Sequence, residues 1–247
     1  MSFANAYEDE IRAQAYSTLE FPGTYFLAFR DLPGLFAEHV QGRAALDFGC
    51  GAGRSTRFLR SLGFDPIGID ISPAMLALAR AADPNGQYLL VDDGDYGAVE
   101  PQRFDLVFSA FAFDNIPGAG HRAAILSSLR RLLTPAGRIV LVGCRREIYL
   151  NETASFTARD FPENHDAKSG EEVRIVMKDV EDSRPVTDIV WFHEDYLALF
   201  AAADLELVAH HLPLGRNDEP FDWISETTIA PWAIYVLGAQ PVATPPL

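Results

Sequence analysis

The sequence predicts an α/β domain built on a doubly wound, mostly parallel sheet. Three observations carry that prediction. A short apolar run, Ala44–Phe48, ends in alternating glycines and passes into a helical pattern. Further runs of strand length at Pro66–Ile71, Tyr88–Val91, Phe104–Phe111 and Arg138–Gly143 alternate with segments of helical spacing. Near the end, Leu205–His210 and Trp232–Leu237 read as a closing strand pair after a helix over Glu194–Ala203.

Composition sets the limits. The 247 residues, 48% hydrophobic and 11% aromatic, can bury one large core, with or without a lid. A net charge of −15 argues against nucleic acid, whose backbone asks for a basic face, and against an anionic membrane surface. The two cysteines, Cys50 and Cys144, are too few for a disulfide framework or a zinc site, and no metal is expected. No run approaches a membrane span, and Met1–Glu10 lacks a signal region. A cytoplasmic protein, monomer or homodimer, is the expectation.

Along the chain, Tyr7, Ile11, Ala15 and Leu19 recur at helical spacing until Pro22-Gly23 breaks the pattern. A second helix starts near Thr24 and carries Phe26, Phe29 and Arg30. The aromatics Tyr16, Phe21, Tyr25, Phe26 and Phe29 suit either packing on the main domain or a cover over a cleft. Residues 1–41 are therefore expected to form a helical cover.

The turn Asp47-Phe48-Gly49-Cys50-Gly51-Ala52-Gly53 follows the first strand. Glycines let a ligand lie close on the backbone, and the helix start after Gly53 points free N–H groups at it. A dinucleotide fingerprint requires a third glycine where this chain has Arg54. Asp47 suits a cationic or amine-bearing ligand. Asp70 closes the second strand 19 residues after Gly51, near the roughly 20-residue offset of an acid that holds a ribose. Ser72-Pro73 then starts a helix bearing Met75, Leu76 and Leu78. The third strand ends in Asp92-Asp93-Gly94-Asp95, an acidic turn or an adenine contact. The fourth, Phe104–Phe111, runs into the loop Ala112–Pro117, where ligands of open α/β sheets bind. A helix over His121–Leu133 is stopped by Thr134-Pro135-Ala136-Gly137 before the fifth strand.

From Cys144 the pattern changes. Val173–Met177 and Thr187–Phe192 read as strands of an antiparallel insertion, a lid or substrate region over 144–193. Phe156, His165 and Trp191 are candidates for a second pocket, although Trp191 fits the insertion's own core as well. Phe221–Glu226 is a candidate pocket wall, His210 and His211 read as structural, and the proline-rich 241–247 is expected to be disordered.

The glycine turn with Asp70, the loop Phe113-Asp114-Asn115-Ile116 and Leu133-Thr134-Pro135-Ala136-Gly137-Arg138 together resemble the class I S-adenosylmethionine-dependent methyltransferases. The resemblance covers residues 42–143 well and 194–238 loosely. It implies a Rossmann-like seven-stranded sheet with a final antiparallel strand, formed by 42–143 and 194–240. It implies S-adenosylmethionine as donor and S-adenosylhomocysteine as product. Around the donor it places Asp47, Gly49, Cys50, Gly51 and Gly53 at the turn, and Asp70 on the ribose. Ile71 and Met75 pack nearby. Asp93, or alternatively Asp92, and Gly94 meet the adenine, and Ser109, Ala110, Phe111 and Asn115 lie at the fourth strand end. Tyr16 and Arg30 close from the cover, the arginine toward the methionine carboxylate. Where many small-molecule members have a histidine, this chain has Asp114 and Asn115, so Asp114 and His165 are the candidate bases. The implied reaction is methyl transfer to an oxygen or nitrogen of a small, partly aromatic molecule. The rivals are a nicotinamide-dependent oxidoreductase, which Arg54 argues against, and a donor-binding protein or cyclase that transfers no methyl.

Overall fold

A computed structural model of the chain describes residues 10–99 and 103–240, without the side chains of Glu10 and Ile11. Tyr7 and the tail 241–247 lie outside the described residues. Three helices, α1 (Glu10–Ser17), α2 (Thr24–Arg30) and α3 (Leu32–His39), precede β1 (Ala44–Phe48). Then come α4 (Arg54–Ser61), β2 (Asp65–Asp70), α5 (Pro73–Ala82), β3 (Gln87–Leu90), β4 (Phe104–Ala110), α6 (Ala119–Arg131) and β5 (Leu133–Cys144). The insertion supplies β6 (Phe156–Thr157), β7 (Glu172–Met177) and β8 (Val186–Ile189). The chain returns through α7 (His193–Ala202), β9 (Leu205–His211) and β10 (Trp232–Ala239).

The main sheet has seven strands in the order β3-β2-β1-β4-β5-β10-β9, as the sequence led us to expect. β1 pairs in parallel with β2 on one side and β4 on the other, so the winding reverses there. That reversal opens a crevice beyond the strand C-termini. β10 enters antiparallel between β5 and β9. Successive strand residues face opposite sides of the sheet. Leu46, Val107, Ile139, Leu141 and Tyr235 pack with Leu129 of α6 and Phe200 of α7. Ala45, Leu106, Phe108, Val140, Val142 and Ile234 pack with Leu27 of α2, Phe36 of α3 and Leu59 of α4.

The second helix starts at Thr24 as expected and ends at Arg30; at Asp31, whose carboxylate Arg30 and His211 both hold, the chain passes into a third helix that the sequence reading did not name, α3, with Pro33 in its first turn. β5 starts at Leu133 instead of Arg138, because Leu133 pairs with Phe104 and the ladder shifts register before Leu106. That irregularity accommodates Pro135, which has no N–H to give.

β6, β7 and β8 form a separate antiparallel sheet, but not a separate core. Phe156, Val173, Ile175 and Met177 share one apolar cluster with α2 and α3. The Thr24 N–H donates to Ser155 Oγ at 2.9 Å, and the Tyr25 hydroxyl to Met177 Sδ at 3.2 Å. Glu226 is fully buried and accepts from Thr24 Oγ1 at 2.7 Å and from the Ala154 N–H at 2.6 Å. The segment expected to wall a pocket therefore clamps the cover to the insertion. Trp191 packs with Tyr196 and Phe200 in the main-domain core, under the guanidinium of Arg122, and not in a core of the insertion.

Candidate active site

β1 ends one residue before a turn whose glycines all have positive φ: 69° at Gly49, 52° at Gly51 and 81° at Gly53. The N–H groups of Gly49 and Cys50 both donate to the Ile69 carbonyl, at 2.9 and 3.0 Å, and tie the turn to β2. A Cβ on Gly49 would stand 2.4 Å from the Ala112 Cβ, and one on Gly51 3.0 Å from Met75 Cε. Backbone is thus exposed where any side chain would fill the space. Asp70, at the end of β2, spans the turn: Oδ2 accepts from the Gly51 N–H and Oδ1 from the Ser72 N–H, each at 2.8 Å. Burial raises its carboxyl above the ordinary range, against the pull of those N–H groups.

These groups border a cleft with about 930 Å³ of empty space, its mouth included. Of the residues implicated by sequence, Tyr16, Gly49, Gly51, Asp70, Ile71, Met75, Asp93, Ala110, Phe111 and Asn115 line it. Ala112, Ile116 and Pro117 line it too, from the loop the sequence reading put at the ligand, whereas Phe48, Ile69, Val91, Tyr96, His121 and Ile125 were not singled out as ligand contacts. His121 had a signal in its place at the start of a helix after the loop. Its Nε2 lies 3.0 Å from Asp93 Oδ2 at the cleft.

Other expected residues sit elsewhere. Arg30 does not line the cleft; Asp31 and Glu219 hold its guanidinium at 2.7 and 2.6 Å, and it donates to the Leu214 carbonyl. Asp47 is wholly buried behind the turn, where Oδ2 accepts from Ser55 Oγ at 2.7 Å and Thr56 Oγ1 at 2.6 Å while Oδ1 has no partner. Burial pushes its carboxyl up to about 6, against the two hydroxyls. Cys50 packs on Leu76, Ala79 and Tyr88. Gly53 starts α4, and Ser109 is buried within β4 with Oγ unpaired. Gly94 is exposed at φ 83°, outside the cleft lining. His165 is exposed in the insertion, with its carbonyl bound by Arg146.

Arg54, read from sequence only as a missing glycine, ties the cover to the turn. It is buried, donates to the Glu20 carbonyl at 2.7 Å and to the Tyr16 hydroxyl at 3.2 Å, and lies 5.0 Å from the Tyr25 ring centre. Phe111 has φ 65°, a left-handed conformation that strains a bulky residue. Its N–H donates to the Val142 carbonyl at 2.8 Å and holds it there.

A second cavity of about 380 Å³ adjoins the first. Tyr16, Phe111 and Asn115 line both. The second is lined by Tyr25, Phe156 and Trp232 and by the acids Asp114 and Asp188. Asp114 is buried and accepts from the Cys144 N–H; burial pushes its carboxyl up to about 6. Asp188, from β8, accepts from the Tyr149 hydroxyl at 2.9 Å, and burial together with the charge of Asp114 raises it to about 7.

The methyltransferase domain family matches residues 46–141, from within β1 to within β5, the part of the chain that carries the cleft. Residues 46–141 therefore carry a methyltransferase domain. The chain is 32% identical to the chloroplastic tocopherol O-methyltransferase of Arabidopsis thaliana over 47% of this chain and 35% of that one. It is 36% identical to an 18S rRNA (guanine-N(7))-methyltransferase of Bos taurus over 39% of this chain and 37% of that one. The chain spans about half or less of the length of the curated relatives it matches. Among solved structures, the CcbJ methyltransferase of Streptomyces caelestis shares the fold, with a TM-score of 0.62 at 20% identity over 90% of this chain and all of that one.

S-adenosylmethionine is the cofactor of the family. The residues of the cleft fit it: the bare backbone at Gly49 and Gly51 leaves room that a Cβ would fill, and a half-buried acid, Asp70, lines the same space.

Proposed function

We propose that this protein transfers the methyl group of S-adenosylmethionine to an oxygen or nitrogen of a small, partly aromatic molecule. The observation that carries this reading is the wall of Tyr16, Phe111 and Asn115 shared by the two cavities. A nucleoside over the glycine turn has its reactive end at that wall, and an acceptor in the aromatic cavity lies behind it. Bound S-adenosylmethionine supplies an electrophilic methyl on a sulfonium. The chain's own task is alignment and proton handling. Asp70 accepts from the ribose hydroxyls, Asp93 from the adenine amino group, and Asp114 takes a proton from the acceptor. Residues 1–41 serve as the cover and 144–193 as the substrate region.

A small acceptor suits the enclosed second cavity, and the net charge of −15 disfavours RNA despite the rRNA enzyme among the relatives. No helix among the described residues is long and apolar enough to cross a membrane. This reading includes a cytoplasmic location. Incubation with methyl-labelled S-adenosylmethionine and a panel of small aromatic alcohols, phenols and amines should move label to one class. Label moving only to added RNA, or calorimetric binding of NAD but not of S-adenosylhomocysteine, would overturn the reading.

A further inference from the structure

The second cavity contains two buried carboxylates and no cation bound to either. Asp114 is 3% exposed and Asp188 8%. The two arginines whose charges act on them are hydrogen-bonded to other groups. Arg122 donates to the Ile116 carbonyl at 2.6 Å and to the Tyr196 hydroxyl at 3.3 Å. Arg12 bonds to Asp182 at 3.5 Å and to the Pro185 carbonyl at 3.1 Å. Their charges reach Asp114 and Asp188 respectively, but neither forms an ion pair with them within 4.0 Å. The remaining groups against the two acids, Tyr149, Cys144 and the Cys144 N–H, are neutral donors. Two carboxyl groups buried together without a paired cation are costly to ionise, and a fold that keeps them reserves them for something else.

The aromatic wall gives an independent indication of the same occupant. Tyr25, Phe156 and Trp232 line the cavity and pack on one another with ring centres 5.1 to 5.9 Å apart, and the Arg54 guanidinium already lies 5.0 Å from the Tyr25 ring centre. Aromatic walls attract organic cations through the ring faces. Carboxylates alone would also suit a neutral hydroxyl, and rings alone any flat apolar group. Both together select a cation on an apolar frame.

We propose that the acceptor carries a basic amine on an aromatic or alicyclic frame, that Asp114 and Asp188 hold its ammonium group, and that its nitrogen receives the methyl. This rests on the reading of the two cavities as donor and acceptor sites. Before transfer the ammonium gives one proton to the Asp114 carboxylate. The freed nitrogen lone pair forms the N–C bond to the methyl carbon as the C–S bond breaks and its electron pair goes to sulfur. Positive charge thus passes from sulfur to nitrogen, beside Asp114 and Asp188. The protonated Asp114 returns its proton to solvent when the product leaves.

The test pairs tryptamine with indole-3-ethanol, and 2-phenylethylamine with 2-phenylethanol, on the full chain loaded with S-adenosylhomocysteine. Calorimetry should show each amine at least tenfold tighter than its alcohol. In Asp188→Asn that preference should fall to within about threefold, with S-adenosylhomocysteine binding as the check that the variant is folded. With labelled S-adenosylmethionine, mass spectrometry should find the N-methyl product of an amine and no O-methyl product of an alcohol. Equal binding of amine and alcohol, a preference that survives in both Asp188→Asn and Asp114→Asn, or no amine binding to the loaded protein would overturn the proposal. Failure of S-adenosylhomocysteine itself to bind would instead overturn the donor-site reading beneath it.

Discussion

Asp70 and Gly51, 19 residues apart, are joined by a 2.8 Å hydrogen bond from the Gly51 N–H to Asp70 Oδ2. The same carboxylate accepts from the Ser72 N–H through Oδ1. One side chain thereby fixes the glycine turn to the start of α5, and the same residue lines the cleft. In the proposed function this acid also holds the sugar.

Asp70→Ala should therefore weaken S-adenosylhomocysteine by roughly 10- to 150-fold, about 1.5–3 kcal/mol for lost hydrogen bonds to a charged group. Calorimetry reads it directly. An unchanged affinity would place the ribose elsewhere.

Gly49→Ala should be more damaging than its single carbon suggests. The new Cβ would stand 2.4 Å from Ala112 Cβ, at a φ of 69° that alanine disfavours. Strain of this kind costs on the order of 1–3 kcal/mol. Displacement of the Ala112–Asn115 turn should also remove donor binding, as seen by calorimetry alongside a thermal melt. A variant with normal melting and normal binding would contradict the geometry of the turn.

Arg54→Met should loosen the cover. It removes the bonds to the Glu20 carbonyl and the Tyr16 hydroxyl while keeping much of the apolar volume. Limited proteolysis should cut ahead of α2 several times faster than in the wild type, and S-adenosylhomocysteine should bind about tenfold more weakly, the size expected for about 1.4 kcal/mol. Arg54→Lys should not restore the wild-type behaviour, because an ammonium cannot span both acceptors as a planar fork does. Unaltered proteolysis would show that the cover is held by its aromatic packing alone.

Asp188→Asn should raise stability at high pH. In the unfolded chain this carboxyl titrates near 3.8, and in the folded protein it is raised to about 7. Between those values the folded state holds a proton that the unfolded state has released, so the Asp188 contribution falls as pH rises from about 4 to 7. Asparagine carries no such loss and still accepts from the Tyr149 hydroxyl. Asp114 and Arg12, the other charged groups acting on this position, are unchanged in the variant. The variant should melt on the order of 5 °C above the wild type at pH 8, about 1–2 kcal/mol for a chain of this size, and converge with it near pH 4. A lower melting temperature at pH 8 would mean that the charged carboxylate supports the fold.

Much of the fold was legible because it is written in local pattern. Short apolar runs marked β1, β4 and β5, which are buried along most of their length, the glycines marked the turn, and Ser72-Pro73 marked the start of α5, where Ser72 Oγ accepts from the Met75 N–H. What was not legible depends on partners distant in sequence. Arg30, expected at the methionine carboxylate, is drawn away from the cleft by Asp31 and Glu219, and Arg54, read only as a missing glycine, links the cover to the turn through Tyr16. Asp47 was placed beside the ligand, but Ser55 and Thr56 turn its carboxylate inward. Asp188 escaped notice because its meaning comes only from Asp114, on a different strand end of a different sheet. His165 was chosen for its chemistry, and its exposed turn in the insertion gives it no place in either cavity.

A crystal structure of the full chain with S-adenosylhomocysteine tests the central claim most directly. The account predicts density over the Gly49–Gly53 turn, ribose hydroxyls on Asp70, and the sulfur facing Tyr16, Phe111 and Asn115 toward the second cavity. Density away from that turn, or a sulfur directed away from the shared wall, would contradict it.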